Sequence, residues 1–373
     1  MKAKKPYEEI TVSSKHLPLR IALFALAIVI AAGSIGYGVS QLGRKDPGWY
    51  TINAAADEDA LMYANGIRFE YYMEGSSDVI KAALRLIEEQ YSSALAKAYK
   101  ETDPVKSYPG IGNLAALNAG ESVKCSPELF AILKDAYAKT LEGRGYNMFA
   151  GAYYAEWNSI IYSNDPTSYD PANDEDERAR LDAIRSAVND LSNFALTLDE
   201  ATLTAALTVS DSYKALVSEL EIDSGALDLN LLRDAYMLGA VREELETEDW
   251  HRGYFATESG LGVYMSECDG GTIEVFGEGE EAIGAISIAA GDSLSMFRGF
   301  GYYEADGELR SPYFTATGSF GSPLTMVITL DEGGDPVACA YHNIKMLDSC
   351  APEKGSYTVL YTLKGEEALN AAE

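Results

Sequence analysis

The chain has 373 residues, 47% of them apolar, which is enough to bury a core in one large domain or two modest ones once an N-terminal segment is set aside. Its 58 acidic against 29 basic residues give a formal charge of -29, a field that repels nucleic-acid phosphates and anionic lipid and argues against a DNA or RNA partner. The acidity itself reads as a solvated surface.

The first element is the plainest. Between Arg20 and Arg44 there is no charged residue, and those 23 residues, as a helix rising about 1.5 Å each, span roughly 35 Å, enough to cross a bilayer. Lys2, Lys4, Lys5, Lys15 and Arg20 precede the span and only Arg44 and Lys45 follow closely, so the N-terminus is expected in the cytoplasm and the rest outside. A cleaved signal peptide is the competing reading, because the most apolar part ends in Ala31, Ala32 and Gly33. Apolar or small residues continue through Val39, which favours an uncleaved single-pass anchor in a bacterial cytoplasmic membrane. No cysteine lies near the span, so a lipoprotein anchor is excluded. The expected layout is a cytoplasmic segment at 1–16, an anchor at 17–42, a stalk at 43–60 and an ectodomain at 61–373.

"GIRFEYYME" reads as a strand, and the run from Ser76 to Tyr99 shows apolar residues at helical spacing with Ser76 or Ser77 as N-cap. A second helix is predicted at 126–142, where Ser126 caps, Pro127 takes the first helical position and Gly143 ends the element. "SNDPTSYDPANDEDE" (163–177) reads as a loop and 178–194 as a helix. From about 254 onward short apolar stretches alternate with glycine-rich turns, the pattern of an antiparallel sheet with few helices. Helix-rich first and strand-rich second, the order argues for an α+β fold. Cys125, Cys268, Cys339 and Cys350 are too scattered for a CxxC motif. An exported location permits disulfides, of which Cys339 with Cys350 closes the shortest loop; buried thiols are the alternative.

In order and spacing, several segments after residue 60 resemble the bacterial FAD:protein FMN transferases, the ApbE-type flavin transferases. "NLAALNAGESVKCSPELFAILKDAY" (113–137) is similar to the family's run of Asn, turn, strand, Ser-Pro-Glu and helix. "GYNMFAGAYYAEWN" (145–158) falls where the family has Gly-Ala-Phe-Asp-Pro-Thr and, further on, Trp. "LDLNLLRDAY" (227–236) falls on the family's Asp-Leu-Gly-Gly-Ile-Ala-Lys-Gly-Tyr, with Asp228, Leu229 and Tyr236 in agreement. The resemblance implies a mixed fold of that type, FAD and magnesium as cofactors, and a flavinylated protein or a membrane redox complex as partner.

The same alignment removes the chemistry. Family glycines fall at Asn230, Leu231 and Ala235, and the family lysine at Asp234. Glycine at such a turn lets backbone N–H groups reach a pyrophosphate, and Leu231 fills that room. A unit charge about 4 Å from a phosphate oxygen is worth roughly 4 kcal/mol at an effective dielectric near 20, so a carboxylate in place of an ammonium opposes binding by several kcal/mol. "TESGLGVY" (257–264) keeps only Gly260 of a Gly-Gly pair, and 296–307 keeps Tyr302 of the Ser-Gly-Asp-Tyr-Glu-Arg-Tyr segment. In 311–323, Thr317 and Gly318 persist while Ser311 and Phe314 replace the family His and Asp. "GDPVACA" (334–340) keeps Asp335 of the magnesium site, with Cys339 at the position of a Thr ligand. Magnesium prefers oxygen to sulfur, so one carboxylate is left where a site would be.

Asp228, Tyr236, Gly260, Tyr302, Thr317 and Gly318 are thus the candidate remnants of a flavin site, Asp335 the remnant of a metal site, and no catalytic residue is assigned. No cofactor is expected unless the family activity persists, in which case FAD and magnesium are. Three readings follow: an inactive binding or scaffolding subunit beside a membrane redox system, favoured because every motif loses residues at once; an active, divergent transferase; or a surface-binding module unrelated to flavin. For the last, Asp165, Asp170, Asp174 and Asp176 offer oxygen ligands but lack EF-hand spacing. His251 and His342 have no placed nucleophile beside them, and the tyrosine-rich stretches read as packing.

Overall fold

The computed structural model describes residues 44–54, 60–143, 145–276, 282–296, 303–306, 308–310, 321–322, 324–331, 334–349, 357–363 and 366–371. The span predicted at 17–42 lies outside them, as do Tyr302, Ser311, Phe314, Thr317, Gly318 and Cys350. Among the described residues no helix is long and apolar enough to cross a membrane.

The chain divides into two units. In the smaller, described residues 44–47 and 74–82, the Lys45 N–H donates to Ser77 Oγ at 3.0 Å and Arg44 pairs with Asp46 at 2.8 Å. The larger comprises 48–73 and 83–373 and carries the candidate site.

In chain order the elements are β1 (Gly48–Ile52), α1 (Leu61–Asn65), β2 (Ile67–Met73), α2 (Ser77–Glu101), α3 (Leu114–Asn118), β3 (Ser122–Lys124), α4 (Pro127–Glu142), α5 (Gly151–Ile161) and α6 (Glu175–Asn189). Next come β4 (Phe194–Asp199), β5 (Thr204–Val209), α7 (Asp211–Glu219) and α8 (Arg233–Thr247). The strand-rich part has β6 (Gly253–Thr257), β7 (Leu261–Tyr264), β8 (Gly271–Phe276), β9 (Ala282–Ile288), β10 (Ser293–Met296), β11 (Tyr303–Ala305), β12 (Glu308–Arg310), β13 (Gly321–Ser322) and β14 (Leu324–Asp331). It closes with α9 (Pro336–Ser349), β15 (Tyr357–Leu363) and β16 (Glu366–Ala371). The α+β class expected from the sequence is what the chain adopts.

Local chemistry sets the boundaries. At α4, Ser126 Oγ accepts the Leu129 N–H at 3.0 Å, Pro127 opens the helix and Gly143 leaves it at φ +67°, as the sequence predicts. The helix predicted at 178–194 begins earlier, because Asp174 accepts the N–H groups of Asp176 and Glu177 and three acidic residues favour the first turn. It also stops earlier. Asp190 accepts the Ser192 N–H at 3.1 Å, holding a short 3-10 turn from which the chain leaves extended at Phe194.

Eight strands form one antiparallel sheet in the order β1-β2-β6-β7-β10-β14-β15-β16. Residues 48–52, inside the segment read as a stalk, are its edge strand, paired from Gly48↔Met73 to Ile52↔Phe69. On one face Phe69 stacks on Phe255 at 4.3 Å and meets Tyr91 at 4.9 Å, and α9 packs over β10, β14 and α8. On the other, Ile286 and Ile288 of the β8-β9 hairpin join Leu294, Ile328 and Leu330. Each such buried side chain contributes roughly 1.5–3 kcal/mol. A smaller sheet, β3-β5-β4, carries Phe194 stacked on Phe149 at 4.7 Å.

The acidic loop is structural. Asp170, 1% exposed, accepts Arg310 Nε at 3.0 Å and the Tyr303 hydroxyl at 3.1 Å, tying the loop to β11 and β12. Asp165 accepts the Thr167 and Ser168 hydroxyls at 2.6 Å, and Asp174 caps α6. Cys125, Cys268 and Cys339 are buried and free, so the Cys339–Cys350 bridge is not formed and the buried-thiol alternative holds for these three.

Candidate functional site at the 225 to 236 turn

The turn is fixed by close backbone approaches. A Cβ on Gly225 would lie 2.0 Å from Asn118 Nδ2, and one on Gly151 would lie 2.1 Å from the Gly225 carbonyl oxygen. Into that space Asn118 places its amide. Nδ2 donates to the carbonyls of Leu227 at 2.9 Å and Pro104 at 3.0 Å, and Oδ1 accepts the Leu227 N–H at 2.8 Å. The Asp228 N–H donates to Met148 O at 2.8 Å. Asp228 Oδ1 then accepts the Asn230 N–H at 2.8 Å, a local turn with Asn230 at φ +44°. Asparagine tolerates this left-handed conformation better than most residues. Burial raises the Asp228 carboxyl above its usual range, against the pull of Arg233.

Beyond Asn230 the side chains fill the site. Leu231 and Leu232 are buried in a short 3-10 turn that leads into α8. Leu231 and Ala235 face Leu261, Met296 and Ile344 across a cavity of about 10 Å³, room for about one water. Asp234 lines the same cavity and accepts hydrogen bonds from the Tyr63 hydroxyl at 2.5 Å and from Ser259 Oγ. Ser259 Oγ also lies 2.6 Å from Thr257 Oγ1, which accepts the Leu261 N–H at 3.0 Å. Burial, and then the Asp234 charge, raise the Tyr63 phenol well above its ordinary value. Arg233 lies with its guanidinium 4.9 Å above the Tyr99 ring and 5.8 Å above Tyr63, its Nε 3.4 Å from Thr102 Oγ1.

The structure thus brings the 227–236 and 257–262 turns together through Asp234 and Ser259; the 311–318 loop lies outside the described residues. Gly260, at φ +89°, allows a close approach to β10, since a Cβ there would lie 2.6 Å from Met296 O. Tyr236 does not join this group: it is buried and donates to Asp135 on α4 at 2.6 Å. Asp335 is likewise apart, its Oδ1 accepting the Val337 N–H at 2.9 Å at the start of α9. Cys339 points into the sheet, Sγ 3.3 Å from Ser293 O and 3.1 Å from Thr329 O, and burial pushes its thiol up to about 12. Among the described residues no three His, Cys, Asp or Glu side chains converge where a metal ion could sit.

Neither group implied by the resemblance fits these residues. A pyrophosphate at the turn would meet the Leu231 side chain and the Asp234 carboxylate, and a magnesium ion would find, among the described residues, Asp335 without converging carboxylates and Cys339 turned into the core. Tyr63, Asn118, Arg233 and Ser259 were not singled out from the sequence. The Asn118 position belongs to the Asn-containing run of 113–137, whereas Tyr63, 171 residues from Asp234, carries no local signal.

No family model and no curated protein sequence matches the chain. Its fold is nevertheless similar to solved structures. The ApbE protein of Thermotoga maritima MSB8 shares 12% identity over 87% of this chain and 97% of that one, with a TM-score of 0.55. The flavin transferase ApbE of Vibrio cholerae gives 12%, 87%, 97% and 0.56. The flavinyl transferase ApbE of Pseudomonas stutzeri, in its apo form, gives 12%, 88%, 95% and 0.56. At this identity the likeness establishes an ApbE-like α+β fold.

Proposed function

We propose that the chain is a membrane-anchored, extracytoplasmic protein of flavin-transferase fold that lacks transfer chemistry and works as a binding or scaffolding subunit, beside a membrane redox system or a flavinylated protein. One observation carries the reading. Asn118, Gly225 and Asn230 fix the backbone of the turn, yet the space beside it, where the resemblance would put a nucleotide, is taken by Leu231 and by a carboxylate with two hydroxyl donors of its own. A loop under pressure to bind phosphate would keep a cation and an open backbone there.

The test is a titration of the full chain in detergent with FAD and magnesium, following flavin fluorescence and thermal stability. A ligand that binds only the folded state raises the melting temperature. No shift up to millimolar FAD is expected. Saturable binding at micromolar FAD overturns the reading and favours the divergent, active transferase, for which transfer to a flavin-acceptor protein is the next assay.

A further inference from the structure

Four aromatic side chains line one face of the large sheet at its β1 edge. Trp49 on β1 stands opposite Tyr72 on β2, with ring centroids 5.6 Å apart, and lies 5.8 Å from Tyr254 on β6. Tyr254 in turn stacks on Tyr264 of β7 at 5.4 Å. Trp49 is 43% exposed, the three tyrosines are half-buried, and the indole N–H and the three hydroxyls make no hydrogen bond to any described residue. Tyr264 also packs against the Ile286, Leu294 and Ile328 cluster, so the open part of this face is Trp49, Tyr72 and Tyr254, each with an apolar body packed on its neighbours.

Two arginines border the rings: the Arg252 guanidinium lies 4.7 Å above the Tyr72 ring, and Arg68, exposed on β2, pairs with Glu70 at 2.8 Å. Tyrosine and tryptophan with arginine is the composition of proteins at the headgroup level of a bilayer, where amphipathic rings sit between hydrocarbon and water.

Connectivity supplies the occupant. The uncharged run ends at Gly43, and at roughly 3.5 Å per extended residue Trp49 is held within about 20–25 Å of the point where the chain leaves the hydrocarbon. We propose that the Trp49, Tyr72 and Tyr254 face docks on the outer surface of the membrane that the chain's own N-terminal span enters, at the level of the lipid headgroups. This rests on the anchoring put forward under Proposed function. Docking fixes which way the ectodomain faces and leaves its acidic remainder pointing away from the lipid.

The experiment uses the full chain reconstituted in phosphatidylcholine and phosphatidylglycerol vesicles containing lipid with a nitroxide on the headgroup, and reads tryptophan emission. Trp157 is buried and Trp250 packs against Tyr71 on the opposite face of the sheet with its N–H on Gln90, so the wild type is expected to lose about one third of its emission, the share of one tryptophan in three, and Trp49→Phe to lose almost none. Equal quenching of the two overturns the proposal. Tyr72→Ser combined with Tyr254→Ser leaves Trp49 and its tether in place; quenching should fall at least by half, and unchanged quenching would mean that the tether alone brings Trp49 to the lipid, which also overturns docking by the face. Flotation of the same vesicles separates the two ideas: a chain that does not float removes the anchor and the docking together, and one that floats unquenched removes docking alone.

Discussion

The two halves of one turn differ in what holds them. Residues 225–229 are gripped by Asn118, by the Met148 carbonyl and by a glycine pair with no room for a Cβ. Beyond the backbone bonds of Asn230 to Asp228 and Leu232 to Leu229, residues 230–235 meet their surroundings through side chains, Leu231 in an apolar wall and Asp234 on two hydroxyls. The first half serves the fold and cannot change without breaking it. In the second, Leu231, Leu232 and Ala235 are buried while Asn230, Arg233 and Asp234 are partly exposed. Contacts distributed over several elements hold the first half, whereas the second depends on a few side chains.

Substitutions can break this contrast or sharpen it. Asn118→Ala removes three hydrogen bonds and leaves the Leu227 amide and carbonyl buried without partners, so a loss of about 3–5 kcal/mol is expected in denaturant unfolding. A loss under about 1 kcal/mol would mean that the grip is incidental. Leu231→Ala, a large-to-small change at a 6% exposed position, should cost about 2–4 kcal/mol, which tests whether this residue now belongs to the core. Were Leu231 instead spare cover over an open site, the same change would be nearly neutral and would enlarge ligand binding. Asp234→Ala leaves the Tyr63 and Ser259 hydroxyls without their acceptor and should cost about 1–2 kcal/mol.

The smallest effect has the opposite sign and depends on pH. Glu101, 7% exposed at the end of α2 and two residues before Asp103, has its carboxyl raised above the usual range, chiefly by burial. The folded state then binds a proton more tightly than the unfolded chain, so ionisation costs stability as pH rises from the ordinary glutamate range through the raised value. Glu101→Gln is expected to raise the melting temperature at pH 7–8, with the gain vanishing toward pH 4, where both states carry the proton. A gain that persists at pH 4 would point to packing instead of charge.

Legibility in the sequence followed locality. The α4 boundaries are written in Ser126, Pro127 and Gly143, three adjacent signals that need no tertiary context. Strand β1 was missed because it is five residues long and starts in an Asp-Pro-Gly stretch with the chemistry of a turn; its status as a strand comes from pairing with β2. The predicted helix ran on to Phe194, the first residue of the β4-β5 hairpin, since the break at Asp190 is a side-chain hydrogen bond to a backbone N–H and has no period. Helix α9 sits in a region read as sheet with few helices, over a segment weighed for metal ligands, for a Cys339–Cys350 bridge and for His342, not for helical period. At the candidate site the acidic residue Asp234, where the resemblance implies a lysine, was readable. What that carboxylate does was not, because its partners Tyr63 and Ser259 come from α1 and from the turn after β6.

The strand order of the large sheet also sets a schedule. Strand β2 ends at Met73 and its inner neighbour β6 begins at Gly253, about 180 residues later, so at roughly 5–20 residues per second the ribosome needs about 10–35 s to supply the partner. Until then the β1-β2 hairpin is an incomplete sheet with an open side rich in Phe69 and Tyr71. Long-range pairing of this kind slows folding far more than it affects final stability. The protein's yield on overexpression should therefore respond to temperature and synthesis rate more than to changes in its native stability.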